Sequence, residues 1–202
     1  MTSEFMGLFE GYRLEDGTHA YYVARTQDEL KTSAPRYCAP VGTAEERAGG
    51  GIWPGEWVDA TGYLVWYFGK WWHTGADLNL NSPHWDADRH APVYAIADGE
   101  VYAVRQLSGW EWVVCVRHEE CLSRYAHVEE IRVREGERVS MGQRIARIGN
   151  AGGRYPYHLH FDIARLEARM ARYPGDWPGA DKGRVERDYL DPAAFLRQRL
   201  GG

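Results

Sequence analysis

The chain has 202 residues, 44% of them hydrophobic and 26% charged, enough for one domain with a proper core or a domain plus an extension. Its net charge of -5, with acidic and basic residues mixed along the chain, excludes the basic footprint of a nucleic-acid binder. No run of about 18 apolar residues is present to span a membrane.

The opening MTSEFMGLFEGYR has neither the basic region nor the apolar stretch of a signal peptide, although a removed export signal leaves no trace. In GLFEGYRLEDGTHAYYVA, two strand-like runs flank Asp16-Gly17, which predicts a β-hairpin. TQDELKT predicts a short helical turn. PRYCAPVGTAEERAGGGIWPGEW is rich in Gly and Pro and reads as loop. A boundary near residue 60 follows, with an N-terminal extension over 1–60 and a second domain over 61–202.

GYLVWYFGKWW predicts a strand with Tyr63, Val65 and Tyr67 on one face. Beyond the polar stretch SPHWDADRH, the chain reads as short β-runs separated by turns: PVYAIAD, GEVYAVRQ, EWVVCVRH, LSRYAHV and RIARIGN. Val113, Cys115 and Arg117 alternate with Val114, Val116 and His118, the period of a strand. Gly136 and Gly142, on either side of Val139, predict tight turns that need dihedrals open to glycine. Helix is predicted over IARLEARMARY, residues 163–173, and over DPAAFLRQRL, where Asp191 and Pro192 stand as helix starters. The fold class is therefore mainly β, an antiparallel sheet domain with one or two short helices near the C-terminus.

The 9 Trp and 13 Tyr suit a core, or a groove for peptides or sugars. Cys38, Cys115 and Cys121 form no CxxC pair and no disulfide framework; a Cys115–Cys121 bridge across a turn is possible but not indicated.

Five residues in three motifs carry chemistry: His73 and Asp77 in HTGAD, His127 in RYAH, and His158 and His160 in HLH. Residues two apart on a strand face the same side, so His158 and His160 project together. A hydrogen-bonded histidine pair at a strand end is one reading. Metal ligation with His73 and Asp77 is the other, since two imidazoles and a carboxylate suit zinc. Three ligands, His73, Asp77 and His160, with two histidines to spare, match a catalytic site better than a structural one. The polar stretch also holds His84, Asp86, Asp88 and His90, read either as a second metal site or as an ordinary loop at a groove edge.

HTGAD, APVYAIADGEV, VRH, RYAHV, VREGERVSMGQRIARIG and YHLHFDI, in this order, resemble the lysostaphin/LytM-like zinc endopeptidases, peptidase family M23. The resemblance runs from about residue 73 to 163, and DPAAFL is similar to that family's usual end. It implies a β domain with an open groove across a sheet, of the duplicated-hybrid-motif kind, and a single Zn2+ ion held by His73, Asp77 and His160. It implies a catalytic pair, His127 and His158, a structural or groove-lining His118, and Tyr125 as a wall beside His127. The implied activity is zinc-dependent hydrolysis of peptide bonds in the stems or cross-bridges of bacterial peptidoglycan, outside the cytoplasm. A catalytically silent relative that binds cell wall, or regulates a wall hydrolase, is the alternative.

ADGEV…VREGERVSMGQ is also similar to biotinyl and lipoyl carrier domains, but the lysine they need is missing where residues 140–142 read Ser-Met-Gly. There are departures from the M23 pattern as well. The segment after Asp77 is long and polar, with His90 where glycine is common. Arg154, Tyr155 and Tyr157 are bulkier than the usual residues there, and Asp162 replaces the commoner glutamate. His84, Asp86 or residues 1–60 are candidates to cover the groove.

Overall fold

The computed structural model describes residues 37–200 in full, together with the backbone of Glu4–Met6, Phe9–Arg13 and His19–Val23. Contacts divide the chain into two units, 1–35 and 36–202. In the first, β1 (Glu4–Met6), β2 (Phe9–Arg13) and β3 (His19–Val23) form an antiparallel sheet, with Arg13 opposite His19. The expected hairpin is therefore present, while its Asp16-Gly17 turn and the TQDELKT turn lie outside the described residues.

The second unit opens with α1 (Ala44–Ala48), inside the segment expected to be loop. Its signal is local: Thr43 Oγ1 accepts from Glu46 N–H at 3.2 Å, and Glu46 accepts from Thr43 N–H at 2.8 Å, a reciprocal capping box. Tyr37, Val41 and Trp57, from the stretch assigned by sequence to the extension, pack into this unit's main core.

The strands follow as β4 (Trp57–Thr61), β5 (Trp66–Tyr67), β6 (Trp71–Trp72), β7 (Ala76–Leu80), β8 (Pro92–Tyr94), β9 (Gly99–Leu107) and β10 (Glu111–Arg117). Then come β11 (Leu122–Glu129), β12 (Arg138–Val139), β13 (Arg144–Ile148) and β14 (Leu159–Ala164), followed by α2 (Lys182–Asp188), β15 (Tyr189–Leu190) and α3 (Pro192–Leu200). Ten strands form an open antiparallel sheet in the order β12-β9-β10-β11-β14-β7-β4, with β13, β8 and β15 attached at its side. β5 and β6 form a separate hairpin. Leu64 and Phe68 take φ values of 59° and 50°, which breaks the single strand expected from Tyr63 to Tyr67.

Alternation decides the two faces. Leu159, Phe161 and Ile163 of β14 and Ala76 and Leu78 of β7 enter the main core with Val114 and Val116. Fully burying each of the larger side chains contributes about 1.5–3 kcal/mol. The intervening positions, Asp77, His160 and Asp162, face the other way. Val113 and Cys115 join a different cluster from Val114 and Val116, as the period of two requires. Gly136 and Gly142 take φ values of 78° and 74°.

The helix expected over 163–173 does not form. Ile163 and Ala164 continue β14, pairing with Ser123 and Leu122 on one side and with Leu190 and Tyr189 on the other. Only a single turn of 3-10 helix, Arg169–Ala171, follows. Sheet pairing outweighs the local helical period here. The second expected helix is α3, where Asp191 Oδ1 accepts from the N–H groups of Ala193 and Ala194. All three cysteines are buried and free.

Candidate metal centre and cleft

One row across the sheet builds the site. Thr61 of β4 pairs with Asp77 of β7, Asp77 with His160 of β14, and His160 with Ala126 of β11. His73 reaches this row from the segment before β7. Gly75 allows it: a Cβ there would stand 2.2 Å from the Phe161 carbonyl oxygen, so only glycine lets this segment lie against β14.

His73 Nε2, Asp77 Oδ1 and His160 Nδ1 converge, at 3.1 Å from His73 to Asp77, 3.1 Å between the histidines and 2.9 Å from His160 to Asp77. The outer ring atoms fix the tautomers. His73 Nδ1–H donates to the Gly62 carbonyl at 3.1 Å, and His160 Nε2–H donates to Asp162 Oδ2 at 2.9 Å. Both inner nitrogens therefore carry lone pairs aimed at a carboxylate oxygen. Three electron-rich atoms facing one another, with the histidines nearly fully buried, leave a place that a cation would fill. The chain thus presents a His-Asp-His cluster able to coordinate a metal ion. Its field shows in the titration. Burial works against a charge on His160, but the Asp162 and Asp77 carboxylates outweigh it and raise its pKa to about 9. Asp77 is held well below the usual carboxylate range, in spite of its burial, by His160 and His73. A metal ion held there would take the place of that proton.

His127 and His158 face the same cleft. Their rings lie 4.8 Å apart between centroids, and His127 is 6.0 Å from His160. Each donates Nδ1–H to a backbone carbonyl at 2.9 Å, His127 to Trp110 and His158 to Pro156, which leaves both Nε2 atoms as bases. Burial, together with neighbouring His158 and His160, lowers His127 to about 3. Burial also lowers His158, against the pull of Asp77.

Strict alternation would send His127 into the core with Tyr125. Instead β11 bulges: Trp112 pairs with Val128 and Val113 with Ala126, leaving His127 unpaired at a φ of 60°. A non-glycine residue in that region costs about 1–3 kcal/mol. The bulge turns the imidazole to the cleft, and Gly149 N–H holds its carbonyl at 2.8 Å. Tyr125, expected as a wall, is instead fully buried in the core, its hydroxyl accepting from Ile96 N–H at 3.0 Å. His118 is structural, bonded to the Asp98 carbonyl and to Ser123 Oγ away from the cleft.

The cleft has a volume of about 490 Å³ and aromatic walls, with Tyr67, Phe68, Trp71, Trp110, Tyr155 and Trp177 in its lining. Of these, the sequence marks only Tyr155, as bulkier than the usual residue there. Trp110 and Trp177 lie far from any motif and were missed. His84 and Asp86 lie on the surface 3.4 Å from each other and take no part in the lining. Among the described residues, no second cluster of metal-ligating groups forms. His90 takes a φ of 58°, in the region that favours glycine, and pairs with Glu129.

The model of Peptidase family M23 matches residues 73–172. The chain is also 39% identical over 77 residues to the lipoprotein NlpD of Yersinia enterocolitica, covering 37% of this chain and 78% of that one. The chain belongs to peptidase family M23. Its M23 domain is 33% identical over 91 residues to the peptidoglycan DD-endopeptidase ShyB of Vibrio cholerae, covering 45% of this chain and 21% of that enzyme. The chain thus spans about a fifth of the length of that curated relative. In fold it is similar to lysostaphin from Staphylococcus simulans, with a TM-score of 0.53 at 20% identity over 71% of this chain and 50% of that one. No described helix of this M23 protein is long and apolar enough to cross a membrane.

Proposed function

We propose that the chain is a zinc-dependent endopeptidase of bacterial peptidoglycan, acting outside the cytoplasm, with one Zn2+ ion held by His73, Asp77 and His160. The observation that carries this reading is the convergence of three lone-pair donors beside two neutral histidines in one cleft. Tetrahedral ligands about 2.0–2.1 Å from zinc stand roughly 3.3 Å apart, so spacings of 2.9 to 3.1 Å suit that ion. The names of its relatives, ShyB among them, supply the substrate class.

Zinc, when bound, acidifies water and polarises a carbonyl. The chain supplies the rest. Of His127 Nε2 and His158 Nε2, both unprotonated at neutral pH, one accepts the proton released as water attacks, and that protonated member hands it to the leaving amine. While protonated, that imidazole also donates to the developing oxyanion. The aromatic walls hold an extended peptide and exclude water. Among the described residues, no Lys or Arg lines the cleft to clamp a terminal carboxylate, which favours cleavage within a chain over removal of its last residue. A catalytically silent relative would be expected to have lost a site residue, and this sequence keeps His73, Asp77, His127, His158 and His160.

The test is to incubate the zinc-loaded protein with purified peptidoglycan and identify released fragments by mass spectrometry, with His127→Ala as control. New peptide termini that the variant does not produce are expected, and they name the bond. Equal release by the variant, or none by either protein, overturns the reading.

A further inference from the structure

Arg124 lies on β11 directly across from Asp162 on β14. Its side chain is fully buried, as is that of Asp162. Nε donates to Asp162 Oδ2 at 2.7 Å, with Nη2 2.6 Å from the same oxygen. That oxygen also accepts from His160 Nε2. Nη1 donates to the carbonyls of Pro174 and Asp176, both at 2.9 Å. The face of the guanidinium covers the Trp110 ring, 4.1 Å from its centroid.

Each contact leads to a different wall of the site. Through Asp162, Arg124 reaches the ring of His160. Through Trp110 it reaches His127, because the indole stacks on that imidazole at 19° and the Trp110 carbonyl holds its Nδ1–H. Through the two carbonyls it fixes the segment that delivers Trp177, whose ring packs on His73, His160 and Trp110. Burying a guanidinium is costly, and an apolar pair often stabilises a core as well as a buried ion pair does. What an apolar pair lacks is the fork geometry that aims Asp162 and the two carbonyls at once.

We propose that Arg124 is a positioning residue that sets the orientation of both His160 and His127, tying metal affinity to turnover. The inference rests on the metallopeptidase reading above. It does not need the substrate to be peptidoglycan.

Full-length Arg124→Met and Arg124→Lys proteins are compared with wild type, with folding checked by circular dichroism. Zinc affinity is measured by competition with a chromophoric chelator, and the site is probed by the visible spectrum of the Co2+-loaded protein. The expected result is a zinc affinity about 10–100-fold weaker in Arg124→Met, the usual cost of losing a group that orients a ligand. Arg124→Lys should recover only part of this, and both variants should show a shifted cobalt spectrum. At saturating zinc, kcat should stay low while KM changes little. If Arg124→Met does not fold, Arg124→Lys decides alone. Wild-type zinc affinity and cobalt spectrum in a folded variant overturn the proposal, even if its Tm falls; so does failure of both variants to fold, which makes the role purely structural. A wild-type protein that binds zinc but releases nothing from peptidoglycan refutes the proposed function and leaves the affinity comparison standing.

Discussion

His160 and His127 face the same cleft with ring centroids 6.0 Å apart, yet their surroundings pull them in opposite directions. His160 sits on a regular strand between two carboxylates, Asp77 and Asp162, and holds positive charge readily. His127 sits on a bulge, bonded to a backbone carbonyl and faced by other histidines, and rejects charge. The residue type is the same and the burial is similar. The charge around each ring makes the difference: two carboxylates favour a cation at His160, whereas the neutral carbonyl behind His127 fixes its tautomer without supplying charge. The proposed metal ligand and the proposed proton acceptor can thus be neighbours without competing for the same ion.

The largest expected break in this comparison comes from removing a ligand. His73→Ala or His160→Ala should abolish both zinc content, read by elemental analysis of the purified protein, and hydrolysis. A variant that keeps stoichiometric zinc removes its residue from the ligand set. Next is the other side of the cleft. His127→Ala should lower turnover by about 10²–10⁴-fold, the range for a positioned acid or base, while zinc content stays at the wild-type level. Loss of metal in His127→Ala would erase the distinction drawn here. Smaller again is the group behind the ligand. Asp162→Asn should weaken zinc about 10–100-fold and lower Tm as well, because Arg124 is left buried without its counter-charge. Unchanged chelator competition in that variant would show that the carboxylate does not tune His160.

Much of the site was legible because it lies on strands that obey their period. HLHFDIA places Leu159, Phe161 and Ile163 in the core, so His158, His160 and Asp162 must share the other face. The glycine of HTGAD is explained by the close approach of residue 75 to β14. What was illegible depends on departures from the period or on long-range contacts. His127 reaches the cleft only because β11 bulges, and by the same rule Tyr125, expected beside it, goes to the core. Trp110 and Trp177 arrive from turns placed by a buried arginine, and no local pattern announces them. Asp162 stood out in the sequence only as a replacement for the commoner glutamate, and its total burial depends on the pairing of β11 with β14. The helix expected over 163–173 fails for a related reason, since its first residues are needed as a strand between β11 and β15. The capping box of Thr43 and Glu46 was in plain view, but glycines and prolines on both sides masked so short a helix.

A last effect separates the two histidine environments without touching the metal ligands. In the folded protein His127 stays neutral down to about pH 3, while in the unfolded chain it titrates near its ordinary value. Between those two pH values the unfolded state holds the extra proton, so stability must fall as pH falls across that window. The slope attributable to one such group is about 1.4 kcal/mol per pH unit. Above pH 7 it contributes no slope, because the imidazole is neutral in both states. Urea unfolding of the zinc-loaded protein at a series of pH values, compared with the same series for His127→Gln, isolates the contribution, since the glutamine does not titrate. The wild-type curve should descend more steeply on acidification and the two should run parallel above neutrality. Curves that are parallel throughout would mean that His127 protonates as easily folded as unfolded. The bulge would then expose it to water, and the contrast with His160 would rest on the carboxylates alone.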